Sequence, residues 1–138
     1  MAKDFDIKQQ GTGYRIRAAE IASATVIEPG DLVTLTSNLI VKAGAASTTL
    51  AYCPNGSADG ETTVGVTEGN DFTLVGTGDA VWSEDYRGDA AGISGTTNLL
   101  VDVTGATTDV IRLSAAEDAG VVDSTEDIEF KIILPIFE

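Results

Sequence analysis

The chain has 138 residues, with 22 acidic and 8 basic side chains, no histidine, one cysteine and a formal net charge of −14. An acidic body repels phosphate backbones, so this composition disfavours nucleic-acid binding. Without histidine, acyl-transfer triads and most transition-metal sites are excluded or poor. A single domain of this size buries about two-thirds of its unfolded surface and needs no disulfide framework. We expect the lone Cys53 to be a small buried hydrophobic residue.

Neither a membrane span nor a secretion signal is predicted. No run of the sequence approaches the roughly 20 apolar residues that a membrane-spanning helix needs. The first residues do not show a basic region followed by an apolar one, as a signal peptide would. We therefore expect the protein to be made in the cytoplasm and to have no membrane contact.

The charge is divided unevenly along the chain. Residues 1–17 carry four bases and two acids, a charge of +2, whereas the remainder carries four bases and twenty acids, a charge of −16. Within residues 1–10, Phe5 and Ile7 are the only apolar anchors. We predict an extended N-terminal arm over residues 1–17, which includes a first short strand at residues 14–17, and a single β-domain over residues 18–138. The arm is either a solvated terminus or a segment that docks on a separate acidic surface.

The next stretch is typical of an all-β protein. Residues 33–36 (VTLT) alternate apolar and β-branched polar side chains, and residues 39–41 (LIV) are suited to the return strand of a hairpin. Ser37 and Asn38 between them predict a two-residue hairpin turn. Residues 18–26 are ambiguous between a helical turn and an irregular strand, and we favour the strand.

Further short strands follow at intervals of about ten residues, separated by turns rich in Gly, Asn and Asp. The spacing predicts a small β-barrel or β-sandwich of short antiparallel strands, with Trp82 as an anchor of the core. An apolar Ile136–Phe137 pair so near the last residue indicates packing, either to close the barrel or in a neighbouring molecule. The predicted strands are residues 50–52, 63–67, 72–75, 79–82, 99–104, 110–113 and 128–133.

Two segments are predicted to lack strands. Residues 83–97 show no periodicity and contain Tyr86 and Arg87, residue types that are enriched at interfaces, so we expect an interface loop there. Residues 114–120 (SAAEDAG) have a serine cap, good helix formers and a final glycine, which predicts one helical turn.

No catalytic, cofactor or metal site is predicted. Residues 54–62 have the oxygen-rich alternation of a calcium loop, but its twelfth position would be Val66 instead of a glutamate. The acidic pairs at residues 84–85 and 117–118 lie in loop-like segments, and a small β-domain rarely forms the deep cleft of a glycosidase. We expect a solvated acidic surface and a protein that is not an enzyme.

The text EPGDLVTL, a turn, LIVKAG and then TTVGVTEG resembles small bacteriophage head-decoration proteins, also called capsid cement proteins. The resemblance covers roughly residues 24–83. It implies a β-rich knob on the outside of the expanded capsid, a homotrimer on the shell, and the major capsid protein as the partner. It also implies a location on the virion exterior and an N-terminal arm that reaches across the coat subunits.

In that role the arm would supply the capsid contacts. Its apolar anchors and its cations are Lys3, Phe5, Ile7, Lys8, Arg15 and Arg17. The hypothesis predicts that deletion of residues 2–12 abolishes attachment and leaves the melting point of the body nearly unchanged. Two alternatives remain open, a tail or fibre module and a carbohydrate-binding domain. The second would display several exposed aromatic rings, and the chain has three Tyr, four Phe and one Trp.

Overall fold

The computed structural model describes residues 4–80, 82–95, 99–103, 109–116 and 128–138, which contain eleven β-strands and one short 3₁₀ helix at Glu84–Tyr86. The strands are β1 (Phe5–Gln10), β2 (Arg15–Glu20), β3 (Asp31–Thr36), β4 (Leu39–Lys42), β5 (Ala51–Cys53), β6 (Thr63–Glu68), β7 (Phe72–Gly76), β8 (Ala90–Ser94), β9 (Leu100–Asp102), β10 (Ile111–Ala116) and β11 (Ile128–Ile132).

The strands form three antiparallel sheets. A six-stranded sheet has the order β1-β7-β11-β10-β8-β9, a three-stranded sheet has the order β4-β3-β5, and β2 pairs with β6. The all-β prediction is confirmed. Of the two predicted architectures the sandwich is the one found, because the sheets do not close into a barrel.

The three-stranded sheet is buried on both faces. Leu32 and Tyr52 point into one hydrophobic core, which they share with the six-stranded sheet. Val33, Ala51 and Cys53 point into a second core, which they share with β6. Residues 51–53 are therefore all buried, although side chains in a strand alternate between faces. The prediction that Cys53 is a buried hydrophobic residue is confirmed, and burial raises the pKa of its thiol.

The last residues of the chain join the two cores. Leu134 and Ile136, which follow β11, both bond to the backbone of Leu50. The Leu50 N–H donates to the Leu134 carbonyl, and the Ile136 N–H donates to the Leu50 carbonyl. Ile136 and Phe137 are half-buried against the second core. The predicted packing of this apolar pair is thus provided by the same chain.

The predicted hairpin at residues 33–41 is confirmed as β3 and β4. Its turn residues Ser37 and Asn38 have φ angles of 52° and 67°. Positive φ at both central residues is the requirement of a type I′ turn, whose twist matches that of the two strands.

Three element predictions are wrong. Residues 79–82 were expected to form a strand, but Asp79 and Ala80 lie in a bend; Trp82 is 6% exposed and is part of the core, as predicted. Residues 83–97 contain the 3₁₀ helix and β8, whose small residues give little strand signal until they pair with neighbouring strands. Residues 114–116 continue β10 because they pair with β11, and residues 117–120 lie outside the described part of the chain.

Strands β1 and β2 follow one another along the outer side of a single bent antiparallel ribbon. The inner side of this ribbon is formed by β7, which pairs with β1, and by β6, which pairs with β2. Phe5 pairs with Gly76 at one end, and Glu20 pairs with Thr63 at the other. A bulge lies between Ile7 and Gln9 in β1, and residues 11–14 form the corner at which the ribbon passes between sheets. The predicted arm is extended, but residues 5–10 are part of the largest sheet rather than separate from the body.

The corner of the ribbon is held by Asp71. The N–H of Gly13 donates to Oδ2 of Asp71 over 2.7 Å, and the N–H of Gly11 donates to the Asp71 carbonyl over 2.8 Å. A Cβ atom at residue 11 would collide with the Asp71 carboxylate. A larger residue at position 11 would therefore displace this carboxylate from Gly13.

Candidate docking edge

The predicted contact residues are spread over the outer side of the ribbon, residues 5–20, which we call the cationic edge. Lys8, Arg15 and Arg17 are exposed on it, and Ile7 is half-buried against the first core. Lys3 lies outside the described residues. The structure thus places three of the predicted cations along the outer side of the ribbon, one on β1 and two on β2.

Phe5, which the sequence predicts to be an apolar anchor for the capsid, is buried in the core of its own chain. Its side chain is 1% exposed and packs edge-on against the Phe130 ring, with the ring centroids 5.6 Å apart. The Tyr52 hydroxyl donates a hydrogen bond of 3.3 Å to the Phe5 carbonyl. The physical reason is that burial of a phenyl ring is favourable by about 1.5–3 kcal/mol, so the ring fills the core of its own chain.

A charged cluster fastens the beginning of the ribbon to the three-stranded sheet. Lys42 Nζ lies 3.4 Å from Asp4 Oδ2 and 3.7 Å from Asp31 Oδ1. Asp4 also accepts a hydrogen bond from the N–H of Leu99, and Asp31 accepts one from the N–H of Glu28. The sequence analysis missed this cluster because its members come from separate segments.

Within this cluster Asp31 is buried. Burial raises the pKa of its carboxyl, and the hydrogen bond from Glu28 and the charge of Lys42 offset only part of that effect. The cluster stabilises the attachment of the first residues of the ribbon to the three-stranded sheet. Each of its carboxylates already has a partner within the chain.

Arg17 contacts two residues of its own chain, although its side chain is still 48% exposed. Its Cζ lies 4.2 Å from the centroid of the Phe137 ring, and its Nε lies 4.0 Å from Glu68 Oε1. The N–H of Gly69 donates to the Phe137 carbonyl over 2.6 Å, which holds the aromatic residue at this place. Arg17 therefore links the cationic edge to the end of the chain.

Arg15 differs from Arg17. Its side chain is exposed, and it makes no ion pair within the part of the chain that the structure describes. The neighbouring Ile16 is 42% exposed and lies over Gly65. This end of the cationic edge therefore presents a cation beside an exposed apolar side chain.

The other predicted interface residues have different surroundings. Tyr86 is half-buried and packs edge-on against Trp82, with the ring centroids 5.9 Å apart. Arg87 is exposed in the turn that follows, where the N–H of Gly88 donates to the Leu113 carbonyl. Tyr86 thus contributes to packing, and only Arg87 presents its side chain to solvent.

An open groove of about 490 Å³ lies beside the end of β2. Glu20, Asp59 and Glu61 make it acidic. Across residues 4–80, 82–95, 99–103, 109–116 and 128–138, no cluster of three or more metal-ligating side chains has the arrangement of a metal site. The same described residues include no helix that is long and apolar enough to cross a membrane.

Comparison of the chain with protein-family models, with curated proteins and with solved structures gives no match.

Proposed function

We propose that this protein is a structural component of a bacteriophage particle that binds the outer surface of the capsid and stabilises the expanded shell. The observation that carries the proposal is the division of charge, in which an acidic body carries a cationic outer strand. Lys8, Arg15 and Arg17 are exposed on that strand. Such a strand is complementary to an acidic protein surface and repels other cationic ones.

In this proposal the partner is the major capsid protein, the place is the exterior of the virion, and the protein on the shell is a homotrimer without enzymatic activity. The ordered ribbon supports attachment as a preformed surface. A strand that is already paired with β6 and β7 loses little conformational freedom on binding, whereas a disordered arm would lose much more. Several protomers acting together would add avidity.

The acidic remainder of the molecule has a role in the same proposal. Residues 18–138 carry a charge of −16, so decorated particles would repel one another. Contacts between exposed charges are screened over about 8 Å at physiological salt. Attachment through the cationic edge is therefore expected to weaken as salt increases.

The experiment is co-sedimentation of the purified protein with empty shells of the accompanying coat protein, before and after expansion. Saturable binding to expanded shells at a fixed ratio per coat subunit is the expected result. Arg15→Glu is the test variant, and Arg112→Glu is its control, because Arg112 is also exposed on a strand but belongs to β10, three strands from β1 in the six-stranded sheet.

Arg15→Glu is expected to bind about tenfold more weakly, and Arg112→Glu is expected to bind as the unmodified protein does. Equal losses in the two variants would mean that total charge, and not the cationic edge, controls attachment. Absence of binding to both shell forms rejects the proposed function.

A further inference from the structure

Alternate residues of β2 direct their backbone N–H and C=O groups away from the partner strand β6. The Ile21 N–H donates to the Thr62 carbonyl over 3.0 Å, and the register from Arg15↔Glu68 to Glu20↔Thr63 has no break. Because an antiparallel ladder alternates, odd-numbered residues of β2 bond to β6 and even-numbered ones direct their N–H and C=O groups away from it. The groups that point away belong to Ile16, Ala18 and Glu20.

The end of this outer side is closed by β4. The Ala22 N–H donates to the Ile40 carbonyl over 3.0 Å, and a parallel bridge joins Ile21 and Ile40, which pairs the Ile40 N–H with the Glu20 carbonyl. In the described part of the chain, the backbones of Ile16 and Ala18 have no hydrogen-bond partner on that side, and we call these two residues the free edge of β2. An edge with free donors and acceptors at alternate residues is a template for an additional strand.

The side chains along this edge define which strand fits. Arg15 and Arg17 lie on one face of β2, whereas Ile16 and Ala18 lie on the other. A strand added here would place alternate side chains beside the arginines and the intervening ones beside Ile16 and Ala18. Acidic residues suit the first positions and apolar residues suit the second.

We propose that the free edge of β2 binds an extended segment of a partner protein with alternating acidic and apolar side chains, by strand addition. The identity of the partner as the coat protein rests on the proposed function, whereas the edge and its chemistry do not. A second copy of this chain is the poorer occupant, because it brings the same arginines and a net charge of −14.

The direct test uses a capped octapeptide of alternating Glu and Val, and an isomer in which all the Glu residues precede the Val residues. Amide exchange of the isotope-labelled protein is followed by NMR at about 0.15 M salt, where long-range repulsion is screened. The alternating peptide is expected to slow exchange at Ile16 and Ala18 by about tenfold. Arg17 and Ala19, already bonded to β6, should change little.

Unchanged exchange at both Ile16 and Ala18, or equal protection by the isomer, would overturn the inference. A substitution gives a second test. Ala18→Pro removes an N–H on the open side and leaves the bonds to β6 in place, whereas Ala18→Ser keeps the N–H. Peptide affinity should fall about tenfold in the proline variant alone. If that variant does not fold, the exchange experiment on the unmodified protein decides.

The inference and the proposed function fail in different ways. Binding to expanded shells without protection of Ile16 and Ala18 overturns the inference and leaves the proposed function intact. Protection by the alternating peptide without any shell binding supports the inference and rejects the proposed function. Concentration-dependent dimerisation that Ala18→Pro abolishes would also overturn the inference, since a second copy would then occupy the edge.

Discussion

The guanidinium group of Arg17 lies over the ring of Phe137, with Cζ 4.2 Å from the ring centroid. This contact joins β2 to the end of the chain, across the second hydrophobic core. A cation above an aromatic ring at an exposed site stabilises a protein by about 0.5–1 kcal/mol.

Arg17→Ala is expected to lower the free energy of unfolding by about 0.5–1 kcal/mol, because it removes the cation over Phe137. Urea denaturation of Arg17→Ala, Phe137→Leu and the double variant measures the coupling between the two residues. Arg15→Ala is the matched control, since Arg15 has no ion pair in the described residues, and it should change stability by less than about 0.5 kcal/mol. Strictly additive effects of the two substitutions would show that the stacking does not contribute.

Gly11→Ala is expected to destabilise the protein, because the new methyl group collides with the Asp71 carboxylate at the corner of the ribbon. The carboxylate can move aside only by giving up its hydrogen bond from Gly13, a loss of about 1–3 kcal/mol. Addition of Asp71→Ala should recover part of the loss by making room, although it also removes the hydrogen bond from Gly13. Thermal unfolding of both single variants and the double variant is the measurement, and a double variant as unstable as the sum of the singles would contradict this explanation.

Phe5→Ala is expected to destabilise the protein by about 3–5 kcal/mol, because it opens a cavity beside Phe130. Chemical denaturation measures the change, and Ile7→Ala provides a milder comparison because Ile7 is only half-buried. Equal stability of Phe5→Ala and the unmodified protein would mean that the ring is not part of the core in solution.

The same burial changes the expectation for deletion of residues 2–12. The deletion removes Phe5 from the first core and exposes the edge of β7, so the melting point should fall instead of staying nearly unchanged. Attachment of that variant to shells is therefore not a clean test of contact residues. Point substitutions such as Arg15→Glu are the appropriate test.

Burial is the main cause of the raised pKa of Asp31. The contribution of this carboxyl to the free energy of unfolding therefore changes with pH in a direction that can be stated. Folding favours the protonated carboxyl, so the contribution is complete below the unfolded pKa of about 3.9 and is lost as pH rises through the higher folded value. The stability difference between the unmodified protein and Asp31→Asn should therefore shift in favour of Asp31→Asn as pH rises through this interval. Urea titrations at several pH values measure the difference, and the opposite trend would show that pairing with Lys42 outweighs burial.

Local pattern was sufficient for most strands. The hairpin of β3 and β4 was predictable because its alternation and its Ser37–Asn38 turn are properties of adjacent residues. Strand β8 was not, since its alanines and glycine have little strand preference and pair only when β9 and β10 are in place. The candidate site was predictable as a cationic strand, but Phe5 was misassigned because its core partner Phe130 is distant in sequence.

The sequence by itself determined the all-β class, the turn chemistry and the separation of a cationic start from an acidic body, because periodicity and charge are carried by the residues themselves. The tertiary structure alone decided that residues 5–20 form the outer side of a ribbon, that Phe5 faces inward and that Ile16 and Ala18 form a free edge of β2. Those features depend on which distant strands pair, and pairing is selected by the burial of both cores together.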